Sequence, residues 1–104
     1  MPRLLVLFHD PYHLDEGEAR AWLWREVDAL LRHDELGEAR LTRLGSATSQ
    51  PRGGFDWLLE LSVDRDAANP GHLIGELVAD LRLLGMGPTV ALADDRNATE
   101  LKRR

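Results

Sequence analysis

The alternation of apolar and polar positions predicts four strands and two helices along the chain. The first strand, residues 3–9, is apolar at every position from Leu4 to Phe8 and closes on His9. A strand with one wet face alternates apolar and polar residues, so an unbroken apolar run indicates a sheet that is covered on both faces. One layer of helices covers one face of so short a chain, and we expect a second copy of the protein to cover the other.

A first helix is predicted from Asp15 to about His33. Asp15 and Glu18 have the spacing of a helix N-cap and its reciprocal partner at the third helical position. Apolar residues recur along one stripe with the helical period, and Trp24 lies at the edge of that stripe. The stripe comprises Leu23, Val27, Leu30 and Leu31.

Two strands are predicted after this helix. Residues 38–45 alternate weakly and indicate an edge strand that is polar enough to resist self-association. Serine, glycine and proline are frequent in residues 46–54, which predict a long turn. The clearest alternation of the chain, residues 55–63, predicts a strand with one apolar face. That face comprises Phe55, Trp57, Leu59, Leu61 and Val63.

The last third of the chain predicts a second helix and a final strand. Asn69 and Pro70 place a cap residue and a first-turn proline at the start of this helix, and Gly85 is a typical C-terminal stop. Residues 89–93 predict a short strand. We therefore expect one domain over residues 1–94, followed by a polar and frayed tail over residues 95–104.

This order of elements is the split βαβ pattern of ferredoxin-like α+β folds. Right-handed crossovers give an antiparallel sheet in the order 4-1-3-2, with the two most apolar strands at its centre. Leucines beside polar groups on the open sheet face predict a dimer interface that encloses a small polar cavity. The residues assigned to this face are Leu5, Leu7, His9, Asp56, Leu58, Glu60, Ser62 and Thr89.

The chain resembles the dimeric α+β barrel superfamily over residues 3–94. The resemblance rests on the element order, the apolar first strand and the segment Trp57-Leu58-Leu59-Glu60-Leu61. It is closest to the small EthD-like and antibiotic-monooxygenase-like members. The resemblance implies a homodimer of two sheets packed face to face, with a pocket in each protomer. It also implies a cofactor-independent oxygenase, isomerase or cyclase, a haem-dependent enzyme, or a protein without activity.

Composition narrows the function classes. The net charge of −5 and the lack of a basic stripe argue against binding to nucleic acid. No apolar run approaches the ~18 residues that a membrane span requires. The chain has no cysteine, which excludes disulfides, thiolate metal sites and a cysteine nucleophile. Because no signal-peptide pattern is present, we expect a cytoplasmic protein.

The segment from His9 to His13 is the best candidate site. Strands 1 and 3 run antiparallel in this fold, so His9 is expected close to Asp56. A carboxylate can fix the tautomer of an imidazole and leave its other nitrogen free as a general base. Tyr12 or His13 would then supply a proton or orient a substrate oxygen. The alternative is a histidine at a strand end with an ordinary ion pair.

Metal binding by the same segment is a further alternative. Its two histidines, with Asp10 or Asp56, have the ligand set of a site with two histidines and one carboxylate. His33 and His72 fall at the opposite edge of the sheet, at helix ends. We expect no metal and no cofactor, and we place the site at the edge of the sheet that carries His9 rather than at the edge that carries His72.

Four further residues are candidate substrate contacts, namely Leu7, Leu58, Glu60 and Trp22. The two leucines supply apolar surface on the open face. Glu60 is either a cavity acid or the ion-pair partner of Arg40 or Arg43 from the adjacent strand. Trp22 lies about a hundred degrees of helical rotation from the buried stripe, which predicts an exposed pocket wall.

Overall fold

The computed structural model describes residues 2–11, 14–45, 55–64, 66–67 and 69–94. The candidates Tyr12 and His13, the turn over residues 46–54 and the tail over residues 95–104 lie outside the described residues. The elements in chain order are β1 (Arg3–Phe8), α1 (Glu16–Leu30), β2 (Leu36–Arg43), β3 (Trp57–Val63), α2 (Pro70–Leu73), α3 (Gly75–Leu83) and β4 (Thr89–Ala93).

The strands form an antiparallel sheet in the order β2-β3-β1-β4. This is the predicted order 4-1-3-2 read from the other edge, so the expected topology is confirmed. In the central pair, Leu7 of β1 lies opposite Leu58 of β3. On its other side β1 pairs with β4, where Leu5 lies opposite Ala91. The mixed α+β arrangement is compatible with a ferredoxin-like fold.

The hydrophobic core lies between the sheet and the helices. Side chains alternate between the two faces of a strand, so every second residue of β1 and β3 points to the helices. The core residues of these two strands are Leu4, Val6, Phe8, Trp57, Leu59, Leu61 and Val63. The helices and the segment after them add Leu23, Val27, Leu30, Ile74, Leu77, Leu81 and Met86.

Helix α1 begins as the sequence predicts and buries the predicted stripe, with Leu23, Val27 and Leu30 in the core and Leu31 packed against it. The backbone N–H of Glu18 donates to the Asp15 carboxylate over 2.8 Å, and this hydrogen bond lowers the pKa of Asp15. The helix ends at Leu30, before the expected His33. Trp22 packs against the core while Trp24 is 43% exposed, which reverses their predicted roles.

The second predicted helix is divided into α2 and α3. Ile74 separates the two segments and is fully buried. Gly71 and Gly75 flank the break, and glycine is a poor helix former. Asn69 occupies the N-cap position without a side-chain cap hydrogen bond, while Gly85 ends α3 with a φ of 72°. Among the described residues, no helix is long and apolar enough to cross a membrane.

Candidate functional site

His9 is held at the end of β1 by three neighbours. Its backbone N–H donates to the carbonyl oxygen of Met86 over 2.7 Å. Its imidazole stacks on the ring of Phe55, with the ring centroids 4.8 Å apart. Gly87 has a φ of 55°, and a Cβ there would lie 3.3 Å from the His9 Cδ2 atom. Glycine at position 87 therefore permits the positive φ of the turn, and its missing side chain leaves room for the imidazole.

Asp56 lies beside this imidazole. The distance from His9 Nδ1 to Asp56 Oδ2 is 4.0 Å, which is too long for a hydrogen bond. The same carboxylate oxygen accepts the backbone N–H of Asp10 over 2.8 Å, and the Asp56 N–H donates to the carbonyl of Phe8. Both side chains of the pair remain partly exposed. At this distance no hydrogen bond from Asp56 sets the tautomer of the His9 imidazole.

The side chain of Asp10 contacts Arg43 and the core residue Trp57. Its two carboxylate oxygens accept from the guanidinium of Arg43, with an Nη2–Oδ2 distance of 2.8 Å. The indole Nε1–H of Trp57 donates to Oδ1 over 2.7 Å. The Arg43 hydrogen bonds hold the pKa of Asp10 below its usual value, and the same contact raises the pKa of Arg43. This carboxylate is therefore committed to a structural contact.

We call Asp10, Arg43 and Trp57 the Asp10 clasp. The guanidinium carbon of Arg43 lies 4.9 Å from the centroid of the Trp57 ring, and that of Arg20 lies 5.4 Å away. The clasp was not predicted from the sequence, although the strand register places its three residues side by side. Phe8 lies opposite Trp57, which lies opposite Arg43, and residue 10 returns to the side of Phe8.

Glu60 has a different partner from the one predicted. Arg43 is engaged by the clasp, and Glu60 instead pairs with Arg3 of β1, at 3.4 Å between Nη1 and Oε2. Arg40 lies opposite Glu60 in the register. These three residues line a shallow cleft on the open face, towards the end of the sheet remote from His9. Glu60 therefore contributes charge to the open face, away from the imidazole.

Trp22 is separated from the His9 site. It belongs to the helical layer, where it lines a cleft of about 300 Å³ with Asp80, Leu83 and Leu84. Leu7 and Leu58, in contrast, lie directly opposite each other and are half-buried. Side chains alternate between the faces of a strand, so Leu7 of β1 and Leu58 of β3 point to the open face. His9, two residues after Leu7, continues the alternation of β1. The two leucines thus lie on the open face of the sheet, whereas Trp22 lies in the helical layer.

The opposite end of the molecule carries the other two histidines. His33 and His72 are exposed and line a cleft of about 430 Å³ between α1 on one side and α2 and α3 on the other. Glu26 and Glu76 lie on the same cleft. Burial raises the pKa of Glu26, as do the neighbouring carboxylates of Asp80 and Glu76. Acidic groups and exposed imidazoles thus surround this cleft, with leucines at its floor.

Within the part of the chain that the structure describes, no three histidine, aspartate or glutamate side chains are placed to hold a metal ion. The predicted site with two histidines depends on His13, which lies outside that part. Asp10, one of the two carboxylates named for that site, is engaged by Arg43 and Trp57. The other, Asp56, has its Oδ2 atom 4.0 Å from the His9 Nδ1 atom.

No protein-family model matches the chain, and no curated protein matches it either.

Proposed function

We propose that the protein is a homodimer of the dimeric α+β barrel kind, in which two copies pack through their open sheet faces around a small organic molecule. The proposal is carried by the row of half-buried leucines on that face, Leu5, Leu7 and Leu58. Pairing would remove their remaining apolar surface from water, which favours association. The smaller side chains of Thr89 and Ala91 on the neighbouring strand leave space for a ligand.

The chemistry proposed for this site is proton abstraction by His9. Histidine side chains titrate near neutral pH, so an imidazole at the edge of an apolar pocket suits a general base. The imidazole takes a proton from a carbon beside a carbonyl group, and the electron pair of the C–H bond forms an enolate. Asp56 stabilises the resulting imidazolium by charge. Return of the proton to another atom gives an isomerase or a cyclase, and reaction of the enolate with molecular oxygen gives a cofactor-independent oxygenase.

A non-catalytic homodimer is the second candidate, and one observation favours it. Asp56 already accepts the N–H of Asp10, and its distance from His9 is beyond hydrogen-bonding range. The imidazole is then oriented by Phe55 and Gly87 rather than by an acceptor. In this reading the enclosed face binds a ligand, or simply holds the dimer together, without turnover.

Replacement of His9 by alanine should abolish base catalysis with little loss of stability. A suitable probe is acetophenone in deuterated buffer, because exchange of its methyl protons requires the same enolate and is followed by proton NMR. His72→Ala is the matched control, since that histidine is also exposed but lies at the opposite end of the molecule. Equal exchange rates for the wild type and a folded His9→Ala variant would eliminate the general base and leave the non-catalytic reading.

Replacement of Leu58 by glutamate should separate the two copies. The change places a charge at the centre of the proposed apolar interface, where desolvation opposes burial. Light scattering after gel filtration is expected to show half the wild-type mass, while circular dichroism retains the folded signal. Leu83→Glu is the control, because Leu83 is 85% exposed on the helical layer. An unchanged mass for Leu58→Glu would refute the open-face interface.

A further inference from the structure

The two edges of the sheet are built differently. Edge strands expose unpaired backbone groups, and proteins protect them with charges, prolines or bulges. β2 has such protection, because it carries Glu38, Arg40 and Arg43. Its register with β3 also shifts between Leu36 and Ala39. A further strand on this edge would have to accommodate these charges and the irregular register, so β2 is protected in the usual way.

The opposite edge, β4, has none of these devices in its five residues. The strand contains no charge and no proline, and its register with β1 is continuous. Val90 and Leu92 are 40% and 56% exposed, although they lie opposite the buried Val6 and Leu4. Among the described residues, β4 is paired on one side alone, by β1. Such an uncharged, apolar edge with a continuous register is a template for a further strand.

We propose that β4 pairs antiparallel with β4 of a second copy, about a two-fold axis at Ala91. In this register Val90 lies opposite the partner's Leu92, so apolar side chains meet and no charges are opposed. Every second backbone amide of β4 points away from β1 and would gain a hydrogen-bond partner. The contact is isologous, because each copy contributes the same strand.

The distribution of charge makes the β4 edge the part of the surface where a second copy meets the least repulsion. Each chain carries a net charge of −5, so copies repel one another in general. An uncharged strand is where two copies approach with the least opposing charge. This interface is independent of the proposed site, because β4 pairing uses the edge of the sheet and the His9 site uses its open face.

The experiment is a mass measurement on variants with a lysine on the β4 edge. With both interfaces intact, light scattering is expected to give four copies for the wild type, and Leu92→Lys should halve this mass. Val90→Lys is a second variant with the same expected result. Leu83→Lys is the matched control, because Leu83 is more exposed than Leu92 but lies outside the strand.

The outcomes separate the two interfaces. If Leu58→Glu alone reduces the mass, β4 pairing is overturned and the open-face interface stands. If Leu92→Lys alone reduces it, β4 pairing stands and the open-face interface fails. Amide hydrogen exchange gives a second readout, with a loss of at least about tenfold in protection at β4 expected in Leu92→Lys. If Leu92→Lys has a reduced mass and its β4 amides still resist exchange, another segment of the same chain covers this edge. That result would contradict the proposal.

Discussion

Replacement of Trp57 by alanine is expected to lower the free energy of unfolding by about 3–5 kcal/mol, the range for large aromatic side chains in cores. Trp57 is 1% exposed and stacks on Phe8, with 6.4 Å between the ring centroids. Its loss also removes a hydrogen-bond donor from Asp10 and the surface on which Arg43 rests. A domain of this size has about 5–15 kcal/mol of stability, so the variant should lie close to unfolding.

Urea denaturation at a fixed protein concentration measures this loss. Trp24→Ala is the matched control, because Trp24 is 43% exposed and should change stability by less than about 0.5 kcal/mol. Trp57→Phe keeps an aromatic ring but removes the indole N–H, so its cost should fall between the two. Equal stabilities for Trp57→Ala and Trp24→Ala would contradict the placement of Trp57 in the core.

Asp10→Ala should remove about 1–2 kcal/mol of stability at neutral pH, since it deletes charge-assisted hydrogen bonds between partly exposed groups. The loss should depend on pH in a defined direction. The Arg43 hydrogen bonds lower the pKa of Asp10 in the folded state below its unfolded value of 3.8. The stabilisation is therefore present above about pH 3.8 and disappears as the pH falls through the lower folded-state pKa.

Unfolding curves of the wild type and Asp10→Ala should accordingly converge in acid. Asp28→Ala is the control, because Asp28 is exposed on α1 and its removal should cost little at any pH. Asp10→Asn separates charge from shape, since an amide oxygen still accepts from the indole of Trp57. A stability difference between the wild type and Asp10→Ala that stays constant from neutral pH to acid would show that the Arg43 contact does not stabilise the fold.

The sheet could be predicted because its signals are local and periodic. The unbroken apolar run of β1 and the strict alternation of β3 identify the two central strands, and chain order with right-handed crossovers then fixes their neighbours. The same alternation places Leu7 and Leu58 on the open face. The capping of α1 by Asp15 could also be predicted, because it depends on two residues only three positions apart in the sequence.

The surroundings of His9 were less predictable, because they depend on contacts between distant segments. Asp10 is adjacent in sequence, but its carboxylate is engaged by Arg43 and Trp57, which are distant along the chain. Met86 and Gly87 reach His9 from the turn after α3, which carries no periodic signal. The break at Ile74 interrupts a continuous helical pattern of apolar residues, and the flanking glycines were its signal in the sequence.

The buried stripe of α1 was predictable as well, because Leu23, Val27 and Leu30 are buried and Leu31 packs against the core. The two tryptophans beside this stripe were assigned the wrong way round. The stripe also includes Ala19, one turn before Leu23, and Trp22 rather than Trp24 packs against the core. The helix ends at Leu30 rather than near His33, and helix ends are the least secure part of a sequence-based assignment.

NMR on a mixed sample tests most directly whether two copies pack through their open faces. Copies with ¹³C-labelled leucine methyl groups are combined with unlabelled copies, and isotope-filtered spectra then report contacts between different chains alone. The open-face interface predicts intermolecular contacts from the methyl groups of Leu5, Leu7 and Leu58. Their absence in a sample that light scattering shows to be a monomer of 11.7 kDa, or intermolecular contacts confined to Leu92, would contradict it.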